Sequence, residues 1–499
     1  MMTNKKWLAA CLLVVLVVGV ALRWSQLERK SLWPDELFTL SMAGHHPLLP
    51  SDGMRWFERK QVNQIDDNDS FLTAKAAEQS PPLNDLLEKL TVRLFGMTEL
   101  AARSPAALAS CMLLLWYAWF AWREEDQPNR RVLTWTTLLL ALYPALQIYA
   151  QEGRAYSVGV ALIGMGGLLW MRRWRQGASA WCPPGSGELT LLTLACYSHY
   201  NAALMVVLML TPDARMALRH RSIVAGRRLL VVCLVFMIWL FLNAHAILFT
   251  AEGGAAWFQM DEMDRLKATL WDWQTALFGP WILLVLGTGL VLLAVRRQTV
   301  PAGLALTPNQ ALVRLACLVL AYLVLASFVV SRAGMLHPRF YVFAIPFVAV
   351  MMALILARVT PSWGTAAMVI AVTALAWPAL REARHSPKAD FRGMSEMAVL
   401  RFDANTRFLF PTPRNRYMYR IYLERLLGTD PRPQMISLSS VADAPKACNA
   451  LESTRHVAVV GFALERPLTD AVYAHCGARW PKRERQQFHN SYAEHWVRE

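Results

Sequence analysis

Four short segments carry the side chains of this chain best suited to chemistry. The first is Trp33-Pro34-Asp35-Glu36, two adjacent carboxylates about a dozen residues past an apolar run. A carboxylate beside a hydroxyl can take its proton as that oxygen attacks. The plainer reading is a helix start, with proline at the first helical position and acids in the first turn, where the macrodipole favours them. The second is Gln151-Glu152-Gly153-Arg154-Ala155-Tyr156, a tight turn between two apolar runs. Its carboxylate and guanidinium suit a phosphate or a metal, because arginine forks onto phosphate oxygens; they equally suit the capping of helix ends. The third, His337-Pro338-Arg339-Phe340-Tyr341, leads into another apolar run, and the fourth is His199. A lone histidine is more often a hydrogen-bonded structural residue than a catalyst, and Arg339 could simply snorkel to lipid headgroups. His45-His46 and Asp66-Asp67-Asn68-Asp69 are weaker candidates, since adjacent histidines diverge on a helix and acidic runs are usually solvated.

The elements that must position these side chains are membrane helices. Hydrophobic residues make up 55% of the 499-residue chain and charged residues 17%, against roughly 25% charged in an average soluble domain. Apolar runs, most of them near the ~20 residues that a helix needs to cross hydrocarbon, fall near 7–24, 104–122, 132–149, 155–171, 187–211, 229–249, 276–295, 314–331, 339–357 and 363–380. The net charge of +15 sits in short loops between them: Lys5-Lys6, Arg172-Arg173 with Arg175, Arg215 to Arg228, and Arg296-Arg297. The positive-inside rule puts such loops in the cytoplasm, and no basic stripe interleaved with aromatics points to nucleic acid. Basic loops flank 187–211 on both sides, so that run must cross twice, as two short helices broken around Ser198-His199-Tyr200-Asn201. Such a break is tolerated at membrane depth only against protein or a water-filled cavity. The count becomes about eleven crossings, with the N-terminus inside and the C-terminus outside.

Three polar segments then face outward: 25–103, 250–275 and everything after about Arg381. The expected architecture is an α-helical polytopic membrane domain over 1–380, including the outer loop 25–103, followed by a small extracytoplasmic α/β domain over 381–499. In the tail, strand-like runs at 407–410, 435–438 and 456–462 alternate with helical stretches near 392–402, 414–427 and 468–475. Cys448 and Cys476 stand alone in that polar tail and could pair if it lies outside the cytoplasm. The other six cysteines read as small hydrophobes. The first apolar run is an anchor rather than a cleaved signal, because Arg23-Trp24 follows it where small residues would be expected.

Taken in order, the segments resemble the GT-C glycosyltransferases, the superfamily of protein O-mannosyltransferases and lipid A aminoarabinose transferases. Trp33-Pro34-Asp35-Glu36 is similar to the acidic signature of the first outer loop. Ser80-Pro81-Pro82-Leu83 is similar to its later "PPL", and Phe95-Gly96 with Ala102-Arg103-Ser104-Pro105 to its "FG…ARLP". Tyr149 to Tyr156 resembles "YSQEARPY", Tyr197-Ser198-His199-Tyr200 resembles "YTHY", and Arg339-Phe340-Tyr341 with Pro346 resembles "RYLL…P". Ala389-Asp390-Phe391-Arg392-Gly393 is like the start of the soluble tail in many members. The chain departs in having Gln79-Ser80 where the aminoarabinose transferases carry a lysine before the prolines, and Ala155 where a proline precedes the tyrosine.

The resemblance implies an inverting enzyme of the cytoplasmic (inner) membrane. It would pass a sugar from a polyprenyl-phosphate donor to an acceptor hydroxyl at the outer face. Asp35 would be the general base. Arg154 and Arg339 would stabilise the departing phosphate, with Tyr156, His199 and His337 beside it. Glu152 and Glu36 would position the acceptor, orient an arginine or hold a divalent metal. A transporter or flippase of lipid-linked sugars is the competing class, although its charges should lie near the midplane in related repeats, and no repeat is visible here.

Overall fold

The computed structural model describes residues 5–44, 75, 80–176, 182–254, 262–278, 308–332, 337–359, 377–378, 380–381, 390–400, 403, 406–411, 419, 421–423, 425–427, 434–438, 440–462, 466–488 and 491–498. His45-His46, Asp66 to Asp69, Gln79, Arg296-Arg297 and most of the runs 276–295 and 363–380 lie outside the described residues. The chain divides into two compact units: Met1–Ser25, Lys75–Leu87 and Arg103–His385 form one, and Gln26–Ala74, Glu88–Ala102 and Ser386–Glu499 the other. Whereas the sequence division at 380 groups the first outer segment with the helices, packing groups most of it with the tail.

The first unit is helical. Four of its helices are long and apolar enough to cross a membrane: Glu99–Arg123, Tyr200–Arg219, Ile223–Ala244 and Gln310–Ser331. A fifth span is a bent pair, Gln127–Leu142 and Pro144–Ala150, at 57°. Shorter apolar helices cover Leu8–Trp24, Ser186–Cys196 and Val342–Ala357. Exposed side chains recur at helical spacing along the long ones, as in Leu108, Met112, Leu115 and Trp119, or Val313, Leu320, Val324 and Phe328. Stripes of this size are a liability in water and at ease in lipid. The polytopic expectation therefore holds; the described spans do not reach the count of eleven.

The break predicted at 198–201 is present. The Ser186–Cys196 helix ends at Tyr197, and the Tyr200–Arg219 helix starts on His199 as its N-cap. A second break falls inside the run 132–149, at Tyr143-Pro144, because proline cannot donate to the Leu140 carbonyl. Arg23, fully buried, replaces that donor: its Nη2 reaches Leu140 O at 2.9 Å and its Nη1 reaches Ala141 O at 3.3 Å. The Tyr156–Gln176 helix packs through glycine, since a Cβ on Gly159 would meet Phe343 at 2.6 Å and one on Gly164 would meet Leu113 at 2.6 Å. Arg173 joins three helices by pairing with Glu188 at 2.8 Å and Asp213 at 2.7 Å. A cavity of about 520 Å³ lined by Leu133, Leu168, Trp174, Leu208, Arg314 and Leu354 holds none of the candidate site residues.

The second unit is built on a five-stranded sheet of order β2-β1-β3-β5-β4, with β1 Thr406–Phe410, β2 Gln434–Ser437, β3 His456–Phe462, β4 Lys482–Phe488 and β5 Ser491–Val497. The first three strands pair in parallel and β5 runs antiparallel to both neighbours. One face packs Phe408, Phe410, Ala458 and Val460 against Phe391, Met394, Leu32, Leu37 and Leu40, which is why the first outer segment belongs here. The other face buries Trp480 and Trp496 beside the disulfide Cys448–Cys476, whose Cα atoms are 5.9 Å apart. Glu99 ties the unit together, paired with Arg392 and, at 3.0 Å, with Arg425, and accepting from the Tyr422 hydroxyl at 3.0 Å.

Candidate functional site

The turn after Ala150 is anchored from below by Gln151, whose Nε2 donates to Leu22 O at 2.8 Å and Ser25 O at 2.9 Å. Arg154 N donates to Glu152 O at 2.7 Å, which tightens the turn before the next helix begins at Tyr156. Glu152 is buried there and Arg154 half-buried. The turn at His337 to Tyr341 is held by its own carbonyl, because Phe340 O accepts from the Tyr322 hydroxyl at 2.7 Å and from Asn201 Nδ2 at 3.2 Å. Since Asn201 opens the helix that His199 caps, the third and fourth segments are fastened to each other.

Aromatic packing gathers the rest. The Tyr156 ring lies 5.1 Å from His199, 5.3 Å from Tyr149 and 6.5 Å from Phe340. The Arg339 guanidinium stands 5.3 Å over the Phe340 ring and 6.0 Å from the Tyr156 ring. Both Arg154 and Arg339 are within electrostatic range of His199, and Glu152, Arg339 and Asp272 are within range of the Tyr149 hydroxyl. Glu152, Arg154, Tyr156, His199 and Arg339, separated by up to about 190 residues of sequence, thus share one site in the first unit.

His199 and His337 use the same device. Nδ1 of His199 accepts from Asn201 N at 3.1 Å, and Nδ1 of His337 accepts from Arg339 N at 3.2 Å. An imidazole that accepts at Nδ1 carries its proton on Nε2 when neutral, so each ring offers an N–H donor away from its cap. His199 presents that donor among the two arginines; His337 is exposed.

Sequence reasoning missed Asp272. It lies where the Glu262–Trp273 α-helix passes into a π-helical turn over Gln274–Phe278, is only 8% exposed, and its Oδ2 has no hydrogen-bond partner among the described residues. Burial pushes its carboxyl up to about 6. Trp273 beside it donates from Nε1 to Ser327 Oγ at 2.9 Å and packs 6.4 Å from the Tyr341 ring. Its only signal was position in an outward polar segment. Lys75 also went unnoticed: fully buried, it meets Ser80 Oγ at 2.6 Å and Asp85 at 2.7 Å, placing a cation at the prolines where the chain departs from the aminoarabinose pattern.

Asp35 and Glu36 belong to the second unit. They open the Pro34–Gly44 helix, as the plainer reading expected. Glu36 is fully buried and its Oε2 accepts from Trp33 N at 3.1 Å, a contact within the helix start. Asp35 is half-buried. Among the described residues no three His, Cys, Asp or Glu side chains converge as a metal site requires.

No protein-family model matches the chain, and no curated protein sequence is similar to it. Among solved structures, ArnT from Cupriavidus metallidurans bound to undecaprenyl phosphate is similar over 99% of this chain and 98% of its own, at 13% identity and a TM-score of 0.54. The same protein in the apo state gives 12% identity and 0.42 over 98% of both chains. The apo oligosaccharyltransferase of Archaeoglobus fulgidus gives 13% and 0.43 over 91% of this chain and 70% of its own. The full-length likeness to undecaprenyl-phosphate-bound ArnT shows that the chain shares the fold of that protein.

Proposed function

We propose that the protein is an inverting glycosyltransferase of the cytoplasmic membrane. It moves a hexosyl or pentosyl group from a polyprenyl-phosphate donor to an acceptor hydroxyl of the cell envelope at the outer face. One observation carries the reading: Arg154 and Arg339 are both within electrostatic range of His199, whose ring packs on Tyr156, with Arg339 over that ring and the buried Glu152 nearby, an anion-binding arrangement within the unit that holds the apolar helices. The undecaprenyl phosphate bound to ArnT, a protein of the same fold, supports a lipid phosphate as the anion.

In the reaction the acceptor oxygen loses its proton to Asp35 and attacks the anomeric carbon opposite the phosphate. The bond from that carbon to the phosphate oxygen breaks, and the phosphate leaves with the electron pair. Charge grows on the leaving oxygen, where the guanidinia of Arg154 and Arg339 act most strongly because the surroundings exclude water. His199 and Tyr156 hold the phosphate, His337 receives it at the rim, and Glu152 orients the arginines. In this reading residues 1–380 carry the chemistry, and 381–499 form a small outer α/β domain.

Binding of undecaprenyl phosphate to the protein in nanodiscs tests the reading. Arg154→Ala and Arg339→Ala should each weaken it by more than tenfold, since the phosphate is met in the ground state as well. Equal affinity in all three proteins would remove the donor site.

A further inference from the structure

Asp272 has no part in the transfer just described, and everything around it disfavours a carboxylate. It is buried, and no ion pair or hydrogen bond reaches it among the described residues. A buried charge in that condition is costly, and nothing among the described residues offsets it. A ligand that supplies hydrogen-bond donors would offset it.

The neighbours say what kind of ligand. The Tyr149 hydroxyl is within electrostatic range of Asp272 and also of Glu152 and Arg339, so the carboxylate lies in the neighbourhood of the phosphate-binding groups. Tyr341, within range on the other side, and Trp273 add aromatic surface. A carboxylate repels the phosphate itself. It accepts from hydroxyls, and aromatic walls suit the C–H faces of a sugar ring, whose hydroxyls radiate from an apolar frame.

We infer that Asp272 is a specificity-determining residue that accepts hydrogen bonds from hydroxyl groups of the donor's sugar, next to the phosphate held by Arg154 and Arg339. The inference rests on the lipid-phosphate reading of the site and adds the half of the donor that the arginines do not read. It makes Asp272 blind to the lipid phosphate and sensitive to the sugar.

The experiment uses the full chain in nanodiscs with five probes: undecaprenyl phosphate, and its phosphodiesters with glucose, mannose, galactose and xylose. At least one ester should bind tenfold or more tightly than the bare lipid. Asp272→Asn should erase most of that advantage and leave the bare-lipid affinity within twofold. Asp272→Glu, which keeps the charge and displaces it by one methylene, should reorder the four esters. An advantage that survives in Asp272→Asn, a loss shared equally by bare lipid and esters, or an order unchanged in Asp272→Glu each overturns the inference. So does a wild-type protein that prefers no ester. If the bare lipid binds regardless of Arg154 and Arg339, or not at all, the transferase reading fails as well, which separates the two outcomes.

Discussion

Two aspartates pose opposite problems. Asp35 was visible in the sequence because it sits in a motif, and Asp272 was not, because a single acid at the end of an ordinary amphipathic helix carries no local pattern. What marks Asp272 is burial without a hydrogen-bond partner among the described residues, a tertiary property. Its folded carboxyl titrates at about 6 against an ordinary 3.8. Between those values the folded protein binds the extra proton, so stability falls as pH rises from about 4 to 6 and stays low above. Asp272→Asn removes that slope and should raise stability at pH 7.5 by up to about 3 kcal/mol, read as an upward shift of the thermal transition in detergent; a loss of stability there would mean an unseen partner. For Asp35→Asn the forecast is kinetic: turnover falling by ~10² to 10⁴ with donor binding nearly intact and protein abundance unchanged. Activity that merely tracks abundance would leave only a helix start.

At the scale of elements, the most informative features are two broken helices, and only one was readable. Loop charge favoured a break around 198–201, and the structure has it, with His199 as N-cap. The bend at Tyr143-Pro144 stayed hidden because 132–149 is a continuous apolar run, and the side chain that replaces the missing donor, Arg23, lies 117 residues from Leu140 in sequence. Removing Arg23 should therefore be costly only while proline occupies 144. We expect Arg23→Met to lose about 1 to 3 kcal/mol, for the buried Leu140 carbonyl left without its donor, since Ala141 O keeps Gln147 Nε2 at 2.6 Å. Adding Pro144→Ala should return part of that by restoring an N–H to Leu140 O, and a double-mutant cycle measures the coupling; independent effects would refute this account of the bend. In the tail, β1 to β3 were legible as apolar runs, whereas β4, reading Lys-Arg-Glu-Arg-Gln-Gln-Phe, is an edge strand polar on both faces. Its arginines 483 and 485 are spent on the buried Glu494 of β5, a pairing that no periodicity announces.

For the whole molecule the open variable is orientation. Lipid explains the exposed apolar stripes, but a stripe is indifferent to which side its ends face. The directional information is in the loops. Arg173, joined to Glu188 and Asp213, shows that part of the basic excess is consumed in buried pairs, so the count of free loop charges is smaller than the sequence suggests. The remaining asymmetry still favours an inward N-terminus, and the disulfide Cys448–Cys476 argues independently for a tail outside the reducing cytoplasm. Two measurements follow from one premise. In the denatured, unreduced protein neither Cys448 nor Cys476 should react with a maleimide, and prior reduction should lower the stability of the tail by about 2 to 4 kcal/mol. A reporter fused after Arg384 should be active only outside the cytoplasm. The pair is decisive because the first could come true by oxidation during purification while the second is set when the chain is inserted. A cytoplasmic readout would turn Asp35, Arg154 and Arg339 toward the wrong face and remove the outer-face reaction together with the eleven crossings.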